Sequence, residues 1–197
     1  MKLSDKKRLQ ILDAAEQLFY DFGVEQTSMD QLAQVAGVSK RTVYNHFANK
    51  EELFQAIMRR MFGQLSEGAA VVFDASQPIS DQLSYIALCE AKLMSSQPFL
   101  RVAKIGFMQL LKDPMLAQTL TQEKIGCLSY LEPFLQAATD AGVLKVEDPL
   151  FASQQFVYQL KAFIFYPQLY QLAEVSEADR DRAIQETVAM FLARYQA

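Results

Sequence analysis

Apolar residues recur at intervals of three and four along nearly the whole chain, and no segment alternates with the two-residue period of a strand. The first such stripe, Ile11, Leu12, Ala15, Leu18, Phe19 and Phe22, predicts a helix from about Asp5 to Phe22, ended by Gly23. Ser28 with Gln31, or Thr27 with Asp30, forms a capping box before Met29, Leu32, Ala33 and Ala36. Gly37 is suited to leave that helix through a left-handed conformation, Val38 to plug the corner and Ser39 to cap the next helix. Val43 and Phe47 then face inward, and Asn49 with Glu52 starts a helix running from about Lys50 to Phe73, loosened by Gly63 and Gly68.

Prolines punctuate the rest of the chain. Pro78, Pro98 and Pro114 sit at helix starts, where a missing N–H costs nothing, and predict helices over Ile79–Ser96, Phe99–Leu111 and Met115–Ala141. Pro133 lies inside the last of these and is expected to kink or divide it. Asp148 and Pro149 open a helix to about Tyr170, and a final one runs from Ser176 or Glu177 to Tyr195. The fold class is all-α: an N-terminal three-helix unit with a helix-turn-helix over residues 1–50, then a larger helical body over residues 51–197.

The second helix of that helix-turn-helix leaves Lys40, Arg41, Thr42, Asn45 and His46 outside, with Tyr44 at the margin. This is the equipment of a major-groove reader: Arg and Lys donate to guanine, Asn pairs with adenine, and the Thr methyl meets thymine. A helical hairpin within an ordinary bundle leaves that concentration of outward polar groups unexplained.

The stretch Ala36–Leu53, AGVSKRTVYNHFANKEEL, with TSMDQLA before it and ILDAAEQLFYDFGVEQTS earlier, resembles the DNA-binding signature of TetR-family transcriptional regulators. The resemblance implies that Thr27, Tyr44, His46 and Lys50 hold the DNA backbone while Lys40, Arg41, Thr42 and Asn45 meet bases, with the caps Ser28 and Ser39 in the same interface. Many relatives carry an aromatic residue at the position of Asn45. The resemblance further implies a homodimer on a near-palindromic operator, an apolar effector pocket between the middle helices, and a repressor released by a small apolar ligand.

Physical features of the rear body agree with that expectation. Eleven of the fifteen residues in Phe156–Tyr170 are apolar or aromatic, so this helix is expected to be covered on two sides. Its Phe156, Phe163 and Tyr170, with Ile184, Val188, Phe191 and Tyr195 of the last helix, are the candidate dimer contacts. Aromatic and Met residues exceed what a tight bundle absorbs; each one singly reads as core packing, and the pocket that the resemblance implies makes Phe99, Phe107, Met108, Tyr130, Phe134, Tyr158 and Phe165 its candidate lining. Lys104 and Lys161 either pair with a ligand anion or snorkel to the surface.

Charge changes the picture little. Residues 1–60 carry nine Lys/Arg against eight Asp/Glu, and residues 61–197 ten against fifteen, so the front is +1 and the rear −5, giving the net −4. Attraction to DNA is therefore local, at Lys40, Arg41 and Lys50, with Lys6, Lys7 and Arg8 either a solvated helix end or a basic arm on phosphate. The single histidine has no partners for a metal site, and no cofactor is expected. Cys89 and Cys127 fall in apolar patterns as buried thiols, and the charged N-terminus shows no signal peptide, so a cytoplasmic setting is expected. The rival reading is an enzymatic or ligand-carrying helical bundle with an N-terminal docking module. Against an enzyme stands the absence of any nucleophile–base pair.

Overall fold

The computed structural model describes residues 3–67, 71–112 and 128–197. Its helices are α1 (Leu3–Phe22), α2 (Met29–Val35), α3 (Lys40–His46), α4 (Lys50–Glu67), α5 (Ile79–Met94), α6 (Gln97–Lys112), α7 (Leu128–Asp140), α8 (Pro149–Leu160) and α9 (Glu177–Tyr195). The expected helix start at Pro114, Gly68 and Cys127 lie outside the described residues. The chain divides into two compact units: Met1–Met61 with Arg101–Thr119, and Phe62–Leu100 with Leu120–Ala197. The front unit thus runs past the expected boundary at residue 50 and takes in most of α6.

In the front unit Ile11, Leu12, Ala14, Ala15, Leu18 and Phe19 of α1 are buried with Leu32, Val43, Phe47, Leu53, Phe54 and Ile57. Phe22 departs from the expected stripe and is exposed, because the chain turns off at Gly23 (φ +84°). Arg60 of α4 pairs with Asp13 (2.6 Å) and with Glu16 on α1. Tyr20 of α1 lies under two cations of α6, with Arg101 Cζ 5.0 Å and Lys104 Nζ 5.1 Å from its ring centre.

The rear unit corrects or refines four sequence expectations. The helix from Lys50 does not reach Phe73. Residues 71–74 are non-helical, with the Phe73 ring set edge-on to Phe134 at 5.8 Å. The Asp74 carboxylate accepts from the Ser76 N–H (2.8 Å) and hydroxyl (2.7 Å), and buried Gln82 bonds the same loop. Such local side-chain bonds compete with helix. Pro133, expected to kink or divide its helix, sits inside α7, which runs from Leu128 to Asp140 without being divided. The helix expected to run to about Tyr170 does so, widening on the way into a π-helical segment, Lys161–Phe165, before a last turn, Tyr166–Leu169. The Tyr166 N–H donates to Lys161 O, five residues back, just before Pro167. The wider turn accommodates a proline that has no N–H to give and clashes with a normal helical carbonyl. Cys89, expected inside, is only half-buried.

On α9, Ile184, Thr187, Val188, Phe191 and Tyr195 are buried, with Phe191 edge-on to Phe156 at 5.3 Å. Thr187 is completely buried, and among the described residues its hydroxyl has no hydrogen-bond partner. A buried unsatisfied hydroxyl costs free energy that an apolar replacement of the same shape recovers. Thr187→Val should therefore stabilise the protein by about 1 kcal/mol, raising Tm by roughly 2–4 °C for a chain of this size. A calorimetric scan showing a lower Tm would mean that the hydroxyl is satisfied in solution.

Candidate nucleic-acid interface

The corner between α2 and α3 is built by local chemistry. Ser28 caps α2: the Gln31 N–H donates to its Oγ (3.2 Å), and the Ser28 N–H donates to Gln31 Oε1 (2.9 Å). This settles the start at Ser28 rather than Thr27. Gly37 adopts φ +65°, and the Val38 N–H reaches back to Ala33 O (3.0 Å). Ser39 caps α3 through the Thr42 N–H (3.1 Å), and its hydroxyl shares a 2.8 Å hydrogen bond with that of Thr42. Asn49 caps α4 by accepting from the Glu52 N–H (2.8 Å). Glu52 closes the turn one residue earlier than expected, on the Ala48 N–H (2.7 Å).

On α3, Val43 and Phe47 point fully inward and Arg41, Tyr44 and Asn45 outward, with Thr42 and His46 half-buried. The guanidinium of Arg8 lies over the Phe47 ring (Cζ 4.3 Å from its centre), so this residue of the basic arm closes the core beside α3. A cleft of about 400 Å³ opens at the starts of α2 and α4, lined by Ser28, Tyr44, Asn49, Lys50 and Glu51 among others.

Three of the expected contacts sit differently from their sequence reading. Thr27 is 2% exposed, and its hydroxyl donates to Gly23 O (2.9 Å) and Leu18 O (3.3 Å). It ties the loop to the end of α1 and is not open to phosphate. Lys50 donates through Nζ to Val24 O and Glu25 O, both at 2.8 Å, because that loop returns beside the start of α4. Lys40 forms an ion pair with Asp30 of α2 (2.7 Å). The hydrogen bond and charge of Asp30 hold its ammonium pKa above the ordinary lysine range. Sequence reading met Asp30 only as an alternative cap partner, since a contact across the corner leaves no periodic signal.

The rear-unit candidates also separate. Phe156, Ile184, Val188, Phe191 and Tyr195, expected between subunits, are buried within one chain. Phe191 contacts Phe156 and Tyr195, and the Tyr195 hydroxyl donates to Gln155. An apolar stripe packs on the nearest available surface, and α5 and α8 supply it. Phe163 (60% exposed) and Tyr170 (54%) do face outward, joined by Met190 (60%), which the sequence reading missed. Phe163 and Met190 line an open groove of about 630 Å³, together with Gln159, Pro167, Arg182 and Glu186 among others.

Of the pocket candidates, Lys104, Phe107 and Met108 fall in the front unit, whereas Phe99, Tyr130, Phe134, Tyr158, Lys161 and Phe165 fall in the rear one. Lys104 is engaged on Tyr20, and Met108 is exposed. Phe107 is half-buried. Tyr130 is buried and its hydroxyl donates to buried Glu90. Phe165 is buried against Phe99 at 5.6 Å, and Phe134 against Phe73. Tyr158 points outward beneath the Lys161 ammonium, 5.3 Å from its ring centre.

Residues 11–57 match the bacterial regulatory proteins of the tetR family, and residues 81–197 match the AefR-like transcriptional repressor C-terminal domain. The chain belongs to the TetR family of transcriptional regulators. It is 28% identical over 196 residues to the uncharacterized HTH-type transcriptional regulator YhgD of Bacillus subtilis (strain 168), covering 97% of this chain and 94% of that protein. A crystal structure of a TetR-family regulator from Pseudomonas syringae pv. tomato str. DC3000 superposes with a TM-score of 0.84 at 34% identity, covering 98% and 99% of the two chains. The flavonoid-responsive regulator FrrA superposes with a TM-score of 0.80 at 27% identity, covering 98% of each.

The protein is a DNA-binding transcriptional regulator and not an enzyme, which sets aside the rival enzymatic bundle. TetR-family regulators function as dimers and respond to small-molecule effectors. No described helix is long and apolar enough to cross a membrane.

The Lys50 geometry carries its own consequence. Two charge-assisted bonds to backbone carbonyls stabilise the loop whether or not DNA is present. Lys50→Ala should cost about 1 kcal/mol in urea denaturation of the free protein. Unchanged stability would assign Lys50 to DNA alone.

Proposed function

We propose that this TetR-family protein is a homodimeric repressor that seats α3 in the major groove of a near-palindromic operator and is released by a flat, apolar aromatic effector. The observation that carries the DNA half is the division of α3: Val43 and Phe47 are spent on the core, while Arg41, Tyr44 and Asn45 are left outside on a doubly capped corner. Arg41 and Asn45 then read bases, with Lys40 and Thr42 beside them. Tyr44, His46 and the cleft at Ser28 and Lys50 take backbone phosphate, where free helix-start N–H groups favour an anion. Ser39 contributes by capping α3. Repression rests on the match of residues 81–197 to a repressor C-terminal domain. The effector class rests on the flavonoid response of FrrA, together with the aromatic content of the rear unit.

The dimer is assigned to the outward apolar surface of α8 and α9 with its π-helical segment, at Phe163, Tyr170 and Met190. Large exposed apolar side chains clustered beside a groove mark an interface more often than a free surface. Two copies related by a two-fold axis read half-sites about one helical turn apart, roughly 34–36 Å, or a multiple of it.

Genomic fragments selected by the purified protein should share an inverted repeat with that spacing. Phe163→Glu should sediment as a monomer and lose the selected site, while its front unit stays folded by circular dichroism. A wild type that sediments as a monomer at micromolar concentration, or that selects asymmetric sites, would overturn the dimeric reading.

A flavonoid aglycone should raise the melting temperature and release the operator in the same concentration range. At about a hundred times its Kd, a ligand of the native state adds roughly 2.7 kcal/mol. Failure of a panel of planar aromatics to do either would remove the effector assignment and leave DNA reading intact.

A further inference from the structure

Lys40 occupies the first position of α3, the end of a recognition helix that reaches base edges. It does not stand there alone. Its Nζ lies 2.7 Å from Asp30 Oδ1, and both side chains are well exposed, at 59% and 66%. Asp30 is in the first turn of α2, where a carboxylate is favoured by the helix dipole, whereas a cation at the start of α3 is not. The pair therefore offsets an unfavourable placement of Lys40. Because both partners are solvated, the pair is weak and open to competition from an incoming group.

Two kinds of group on DNA compete for it, and they differ in chemistry. A phosphate is an anion with no donor. If Lys40 turns to it, the Asp30 carboxylate is left close to a like charge. The major-groove edge of a G·C pair offers guanine N7 and O6 as acceptors and the cytosine N4 amino group as a donor. Lys40 donates to the first two, and Asp30 accepts from the third. An ammonium joined to a carboxylate thus complements a G·C edge and opposes bare phosphate.

We infer that Asp30 is a specificity-determining residue, acting with Lys40 as one reading unit that favours a G·C pair in each half-site and penalises contact with phosphate. The inference rests on the DNA-reading function proposed above and adds to it a residue that the family signature did not assign. Asp30 thereby acts against non-specific binding, which depends on cations meeting phosphates.

The test is a salt titration of wild type, Asp30→Asn, Asp30→Glu, Lys40→Ala and the Asp30→Asn/Lys40→Ala double variant, each on the selected operator and on random duplex. Asp30→Asn should tighten random binding and steepen the log K against log salt slope by about 0.9 per subunit, as Lys40 gains a phosphate. The operator-to-random ratio should fall about five- to tenfold per half-site, and reselected sites should lose a G·C requirement at one position. Asp30→Glu, which keeps the charge, should restore the ratio. Lys40→Ala should lose the same base preference, and in its background Asp30→Asn should no longer steepen the slope. The inference is overturned if Asp30→Asn leaves ratio and base preference unchanged, or if its effect persists undiminished without Lys40. Should Asp30→Asn fail to fold, Asp30→Ser serves the same comparison. A wild type that selects no sequence at all would instead sink the DNA-reading assignment, so the two failures are distinguishable.

Discussion

The front unit depends on holding a seven-residue helix in place. A helix as short as α3 has almost no stability of its own, since the nucleation cost is recovered only over many more residues. It persists because Ser39 satisfies an N–H at one end and because Val43 and Phe47, at 0% and 1% exposure, anchor it from beneath. Arg8 closes over the far side of Phe47. With its stability supplied from below, the outer surface of α3 is free to be polar, and the proposed reading of DNA uses that freedom.

Two of the cations beside that surface are already engaged: Lys40 pairs with Asp30, and Lys50 spans two loop carbonyls. Each attachment orders a long side chain before DNA arrives and lowers the entropy lost on binding. On the proposed DNA reading, contact with DNA is then an exchange of partners, in a protein of net charge −4 whose excess acid lies behind residue 60.

The rear unit faces a different constraint. The segment from Pro149 to Leu169 carries more apolar surface than the described residues of one chain cover, and Pro167 near its end is met by a wider turn. Phe156, Val157, Leu160, Ile164 and Phe165 go to the core, while Phe163 and Tyr170 remain outside. Met190 on α9 is likewise left exposed, with its sulfur 3.2 Å from the Gln159 amide. A surface of this kind is stable in water only at a cost in exposed apolar area, which association removes.

Periodicity, caps and prolines determined the helices and the helix-turn-helix, because each acts over four residues or fewer: Ser28 with Gln31, Gly37, Ser39 with Thr42, Asn49 with Glu52 and Asp148 with Phe151 are all local. The outward set on α3 was legible for the same reason. Tertiary structure alone decided what each surface meets. That Thr27 is buried against the end of α1, that Lys50 spends its charge on Val24 and Glu25, and that Asp30 holds Lys40 depend on loops returning through space. The last helix shows the limit most plainly. A stripe at Ile184, Val188 and Phe191 specifies that something must cover it. Whether a neighbouring helix or a second copy does so depends on where α8 lies, and no spacing along the chain encodes that.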